Sequence, residues 1–138
     1  MKKEKSCGAV VYKKENNQIY ILIEEMRLGH FSIPKGHVEK NETEIETAIR
    51  EIKEETNLEV IVDDRFREMV TYSPYVGCLK DVVFFVAEAK SEELINQEIE
   101  VSNLYWLSPQ LAINKLTYES DKQVLKKALK YLGEEDYE

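Results

Sequence analysis

The segment 43–56 constrains this chain more than any other, because its apolar residues recur at helical spacing while its glutamates crowd one side. Ile45, Ala48, Ile49 and Ile52 form one apolar stripe, so the segment is expected to be an amphipathic helix. Glu51, Glu54 and Glu55 stand at i, i+3 and i+4, which places three carboxylates within one arc and lets them converge on one point. The stripe would hold the helix against a sheet while the glutamates face outward. Two like charges about 4 Å apart repel by about 4 kcal/mol at an effective dielectric of about 20, so carboxylates gathered this closely call for hard cations between them. Oxygen ligands of this kind suit magnesium or manganese. The bland alternative is a solvated face laced with pairs such as Glu46 and Arg50.

Around this helix the pattern reads as strands. Residues 6–12 and 18–24 are rich in Val, Ile and Tyr, and the polar run 13–17 between them reads as a hairpin connection. A loop is expected over 26–35, where Gly29, His30 and Pro34 fall. Strands follow at 58–62 and 66–72, then a turn holding Ser73, Pro74 and Gly77, then an apolar strand over 80–89 buried on both faces. The acidic stretch 91–100 is expected to be a loop and 104–107 a short strand. Ser108 and Pro109 have the character of an N-cap and first helical residue. Leu111, Leu116, Val124, Leu125, Ala128, Leu129 and Leu132 then supply one or two terminal helices, with Gly133 as a stop before a frayed acidic tail. The fold class expected is α/β, a central mixed sheet between helices.

At 138 residues the chain has room for one domain with a real core, and a single domain spanning 1–138 is expected. No apolar run approaches the roughly 20 residues that cross a bilayer, and no signal-peptide core follows the lysine-rich start, so a cytoplasmic protein is expected. Cys7 and Cys78 stand far apart without a Cys or His cluster, which points to free thiols rather than a zinc site. A net charge of −8 argues against a non-specific nucleic-acid coat, and a polyphosphate partner would need a cation to mediate. No heptad pattern calls for a partner chain, and a monomer is expected.

Gly36, then Glu42, then Arg50-Glu51-Ile52, Glu54-Glu55 and Asn57-Leu58 together resemble the Nudix box in all but one fixed position. The departure is Asn57, where that pattern has glycine. Asn is the next-best residue for the left-handed backbone that ends a helix. The resemblance implies an α/β/α sandwich and a divalent-metal pyrophosphohydrolase, with Mg2+ or Mn2+ as cofactor. It implies Glu51, Glu54 and Glu55 as metal ligands or general base, Gly36 as a ligand through its carbonyl, and Arg50 as the residue that orients the glutamates. Which glutamate is the base cannot be read from sequence. The chemistry implied is water attack on phosphorus, with a glutamate accepting the proton.

Several segments outside the box are similar to the Nudix enzymes called asymmetrical bis(5'-nucleosyl)-tetraphosphatases, which split diadenosine tetraphosphate into ATP and AMP. These are 6–10, 30–39, Tyr72, Lys80 and 105–107. The similarity implies that His30, Lys35, Tyr72 and Lys80 bind substrate, that Tyr118 stacks on adenine, and that Glu100 assists metal binding or catalysis. Glu98 could take the place of Glu100 with a small shift. Phe31 stands where members often have Trp, and Ile33 replaces a proline. Hydrolysis of nucleoside triphosphates, oxidised nucleotides or 5'-triphosphate RNA ends uses the same box, and a non-catalytic nucleotide sensor is the alternative of a different class. The intact set Glu51, Glu54, Glu55 and Arg50 favours an enzyme over a sensor, and the substrate expected is a small nucleotide polyphosphate.

Overall fold

The computed structural model of the protein describes residues 1–96 and 99–134. Among these residues, seven strands and three helices follow one another as β1 (Lys2–Glu15), β2 (Gln18–Met26), β3 (Phe31–Ser32), β4 (Lys35–His37), α1 (Glu44–Thr56), β5 (Val60–Tyr72), β6 (Cys78–Ala89), β7 (Val101–Leu107), α2 (Pro109–Lys115) and α3 (Glu119–Tyr131). The sheet runs β3-β2-β1-β6-β5, with β4 paired to β1 and β7 to β2. Only β1 and β6 are parallel among these pairings, which makes the sheet mixed.

Residue parity sorts the sheet into two cores. Val10, Ile19, Ile21, Ile23, Val82, Phe84 and Val86 face α2 and α3, where Ile113, Leu116, Leu125 and Leu129 meet them. Cys7, Ala9, Val11, Leu22, Val83, Phe85 and Ala87 point the other way, onto Ala48 and Ile52 of α1. Burial of each large aliphatic side chain in these layers contributes about 1.5–3 kcal/mol relative to exposure. The arrangement is the expected α/β/α sandwich, and β6 is buried on both faces because both layers use it.

Local chemistry sets the element ends. Asn16 and Asn17 both take positive φ, 53° and 64°, which closes β1 and β2 with a two-residue turn and shortens the connection expected over 13–17. The Thr43 hydroxyl accepts from the Glu46 amide at 3.1 Å and the Glu46 carboxylate accepts from the Thr43 amide at 2.9 Å, a reciprocal cap that opens α1. Glu46 is thus a cap rather than an ion-pair partner of Arg50. Asn57 ends the helix at φ 71°, its amide donating to the Lys53 carbonyl at 2.9 Å, as the sequence argument requires.

Three expectations need correction. The loop over 26–35 contains β3 and runs into β4, because β1 and β2 diverge there and leave edges that these short strands pair. The strands expected at 58–62 and 66–72 are one strand, β5, whose register against β6 shifts between Asp63 and Glu68. Ile49 is 40% exposed, while Thr47, Glu55 and Thr56 turn inward with Ala48 and Ile52. The glutamates therefore do not all face outward. The acidic tail from 135 onward lies outside the described residues, and no described helix is long and apolar enough to cross a membrane.

Candidate active site

Arg50 organises the carboxylates of α1. Its Nε and Nη2 donate to the two oxygens of Glu42 at 2.6 and 3.0 Å, a bidentate fork. Glu42 is itself held by the Glu39 amide at 3.0 Å and the Thr47 hydroxyl at 2.8 Å. The Arg50 guanidinium, aided by these donors, holds the Glu42 carboxyl down to about 2. With its base fixed, Arg50 donates through Nη1 to Glu51 at 2.9 Å and Glu54 at 3.2 Å, and through Nη2 to the His37 carbonyl at 2.9 Å. One planar cation thereby ties the loop after β4 to two glutamates on successive turns.

Glu51 lies against Gly36 of β4 so closely that a Cβ there would come within 1.9 Å of the Glu51 carboxyl carbon. Glycine at 36 is a matter of space. Glu55 is only 5% exposed. Burial, then the Glu24 carboxylate, then Glu51 push its carboxyl far above the usual carboxylate range. Glu24, on β2, is 1% exposed. Among the described residues no three His, Cys, Asp or Glu side chains form a ready-made cation cage, since Arg50 holds Glu51 and Glu54. The donor set nevertheless suits a hard cation: carboxylate oxygens crowd one another at the sheet, and a glycine backbone lies against them.

These groups line a cavity of about 500 Å³ whose wall also includes Ser6, His30, Ser32, Lys35, Lys80 and Glu100. Lys35 and Lys80 come from β4 and β6, which both pair with β1. Neither makes an ion pair among the described residues. Burial and then the neighbouring Lys35 charge push the Lys80 ammonium below its usual value. Two crowded cations and the α1 carboxylates thus line one cavity.

Tyr72 and Tyr118 lie outside the lining, on its rim. Tyr72 pairs with Lys80 across β5 and β6, and the Tyr118 ring lies 5.8 Å from His30, tilted by 54°. The segment between α2 and α3 is pinned to β3, because the Phe31 amide donates to the Thr117 hydroxyl at 2.8 Å and the Thr117 amide to the Phe31 carbonyl at 3.2 Å. Phe31 also lies under Lys115, whose ammonium is 4.5 Å from the ring centre. Exposed Glu100 reaches the cavity from the loop before β7, where its carbonyl accepts from the Arg27 amide at 2.6 Å. Glu98, its alternative, lies outside the described residues.

Sequence reasoning missed Glu24, Ser6 and Asp121. Asp121 is 7% exposed, its carboxyl pushed up by burial against the pull of Lys35 and His30. The signal for Glu24 was a break in parity: it follows Leu22 on the α1 face, where a strand residue should be apolar.

The profile of the NUDIX domain matches residues 2–128. The rat bis(5'-nucleosyl)-tetraphosphatase [asymmetrical] is 29% identical over 93% of this chain and 95% of its own length. A crystal structure of a C. elegans Ap4A hydrolase binary complex superposes with a TM-score of 0.85 at 28% identity, covering 94% of this chain and 98% of that one. An 8-oxo-(d)GTP phosphatase of Mycolicibacterium smegmatis is 33% identical over 79% of this chain but only 33% of its own length.

Proposed function

The chain belongs to the Nudix hydrolase family, and from that premise we propose that it hydrolyses diadenosine tetraphosphate to ATP and AMP with Mg2+ or Mn2+. The observation that carries this reading is the cavity in which the α1 carboxylates face Lys35 and Lys80. A likeness to tetraphosphatases over nearly the whole of both chains supports the substrate.

In this mechanism Glu51, Glu54, Glu55, Glu100 and the Gly36 carbonyl, which line the cavity, would hold the cation. A bound divalent cation would neutralise phosphate charge and lower the pKa of the attacking water. Lys35, Lys80 and His30 grip the polyphosphate and oppose its charge where the carboxylates alone would repel it. Arg50 keeps Glu51 and Glu54 from swinging away. A helix glutamate accepts the water proton as the new P–O bond forms. The bridging P–O bond breaks, and the leaving phosphate departs with the electron pair. Tyr118 and Tyr72 offer ring faces at the rim, where a base at the end of the phosphate chain can stack.

A second reading, hydrolysis of an oxidised guanine nucleotide, is favoured by the mycobacterial relative. The test is to incubate the protein with Mg2+ and diadenosine tetraphosphate, or with 8-oxo-dGTP, ATP or triphosphorylated RNA, and separate products by anion exchange. ATP plus AMP, formed fastest from diadenosine tetraphosphate, is the expected result. Faster turnover of another substrate overturns the substrate assignment, and binding without turnover of any overturns the mechanism.

A further inference from the structure

Glu24 occupies a position that the sheet reserves for an apolar residue. Leu22, its neighbour on the same face of β2, packs with Ala48 and Ile52 of α1. One strand pleat further along and one helical turn beyond Ile52, the same packing brings Glu24 onto Glu55. The two carboxyls are in hydrogen-bond contact, and Glu55 touches Glu51 in turn. Glu24 is 1% exposed and flanked by Ser32 on β3 and Leu104 on β7. Evolution of a plain core would place Leu or Val here, since a carboxylate out of water is costly unless its charge is met.

A second observation points into the same cavity from another strand. Ser6 on β1 is fully buried, lines the cavity, and its hydroxyl oxygen has no hydrogen-bond partner among the described residues. Its cross-strand partner His37 directly follows Gly36, and Ser6, Gly36 and Glu51 all line that cavity. A buried hydroxyl left open in a cavity that carboxylates also line is suited to hold a water there.

We propose that Glu24 is a ligand of the divalent cation, supplying from the sheet a carboxylate oxygen that joins those of Glu55 and Glu51 from the helix. The inference rests on the reading of α1 as the metal-holding helix and adds to it a residue outside the box. Hard cations take six or more oxygens, and the helix carboxylates with one backbone carbonyl leave positions open. A ligand on β2 also clamps the helix to the strand, so metal binding stiffens the site as well as charging it.

The test reads metal binding directly. Free Mn2+ is followed by its electron paramagnetic resonance signal as wild type, Glu24→Gln and Glu55→Gln are titrated, and metal-free melting is recorded for each. Glutamine keeps the shape and the hydrogen bond to Glu55 but removes the charge, so a residue that merely positions Glu55 would leave affinity intact. At least about tenfold weaker Mn2+ binding in Glu24→Gln, with a metal-free melting temperature no lower than wild type, is expected. A smaller loss overturns the assignment. Should Glu24→Gln not fold, Glu24→Leu, which restores the apolar pattern, is read against the same tenfold threshold. Loss in Glu55→Gln without loss in the Glu24 variant removes Glu24 alone from the ligand set. Unchanged binding in both removes the helix reading and the role of Glu24 with it.

Discussion

Glu44 and Glu55 sit on the same helix about three turns apart, yet their surroundings drive them in opposite directions. Glu44 opens α1 beside Arg67, which donates to both its oxygens at 2.9 and 2.8 Å, and Lys5 lies 2.6 Å away. Those partners, Arg67 first, hold its carboxyl down to about 2. Glu55 near the other end is buried against Glu24 and Glu51 and is pushed up instead. One end of α1 is a neutralised anchor joining β1, β5 and the helix; the other crowds the carboxyls of Glu24, Glu51 and Glu55 together, with Arg50 on Glu51. A helix can hold such a cluster because its middle, Ala48 and Ile52, is packed dry against Leu22, Val83 and Phe85.

The largest effect should come from breaking the crowded end. Glu55→Gln should lower turnover of diadenosine tetraphosphate by about 10²–10⁴-fold, the range of a lost general base or ligand, without lowering the metal-free melting temperature. Steady-state product formation and a melting curve check this, and a variant that is both active and unstable would mean that Glu55 is structural. Breaking the middle comes next. Ile52→Ala should destabilise by about 2–5 kcal/mol, read from urea unfolding, because the 0% exposed side chain leaves a cavity that the sheet cannot close.

Gly36→Ala sharpens the contrast between space and charge. Its Cβ would strike the Glu51 carboxyl at 1.9 Å and must displace it, so activity should fall at least about tenfold while stability changes by about 1 kcal/mol or less. The smallest effect is expected at the anchored end. Glu44→Gln should cost about 1 kcal/mol or less near neutral pH, because the group is partly solvated. Its folded pKa lies below the unfolded one, so its contribution is present above pH 4.5 and lost as pH falls toward 2. The acid limb of a stability–pH curve should therefore be shallower in Glu44→Gln than in wild type; identical limbs would mean that the Arg67 and Lys5 pairs are thermodynamically idle.

Much of this arrangement was legible in the residue order. The cap at Thr43, the left-handed stop at Asn57, the helix between them and the spacing of Glu51, Glu54 and Glu55 are local consequences of side-chain chemistry and a fixed helical repeat. Arg50 could be named as the organiser, but its fork onto Glu42 depends on a loop that only the fold brings near. The rotation of α1 was misjudged at Ile49, because periodicity allows two neighbouring stripes and the sheet selects one. That selection turns Ile49 out and Glu55 in.

The amino-acid sequence by itself determined the longer elements, the mixed sheet between helices, and the helix that carries the box, since propensity, parity and capping act over a few residues. Tertiary structure alone decided that Glu24 meets Glu55, that Lys35 and Lys80 arrive side by side from two strands flanking β1, and that Ser6 and Glu100 open onto the same cavity. Those encounters join residues tens of positions apart. Their partners are set by sheet register and layer packing, which no local pattern encodes.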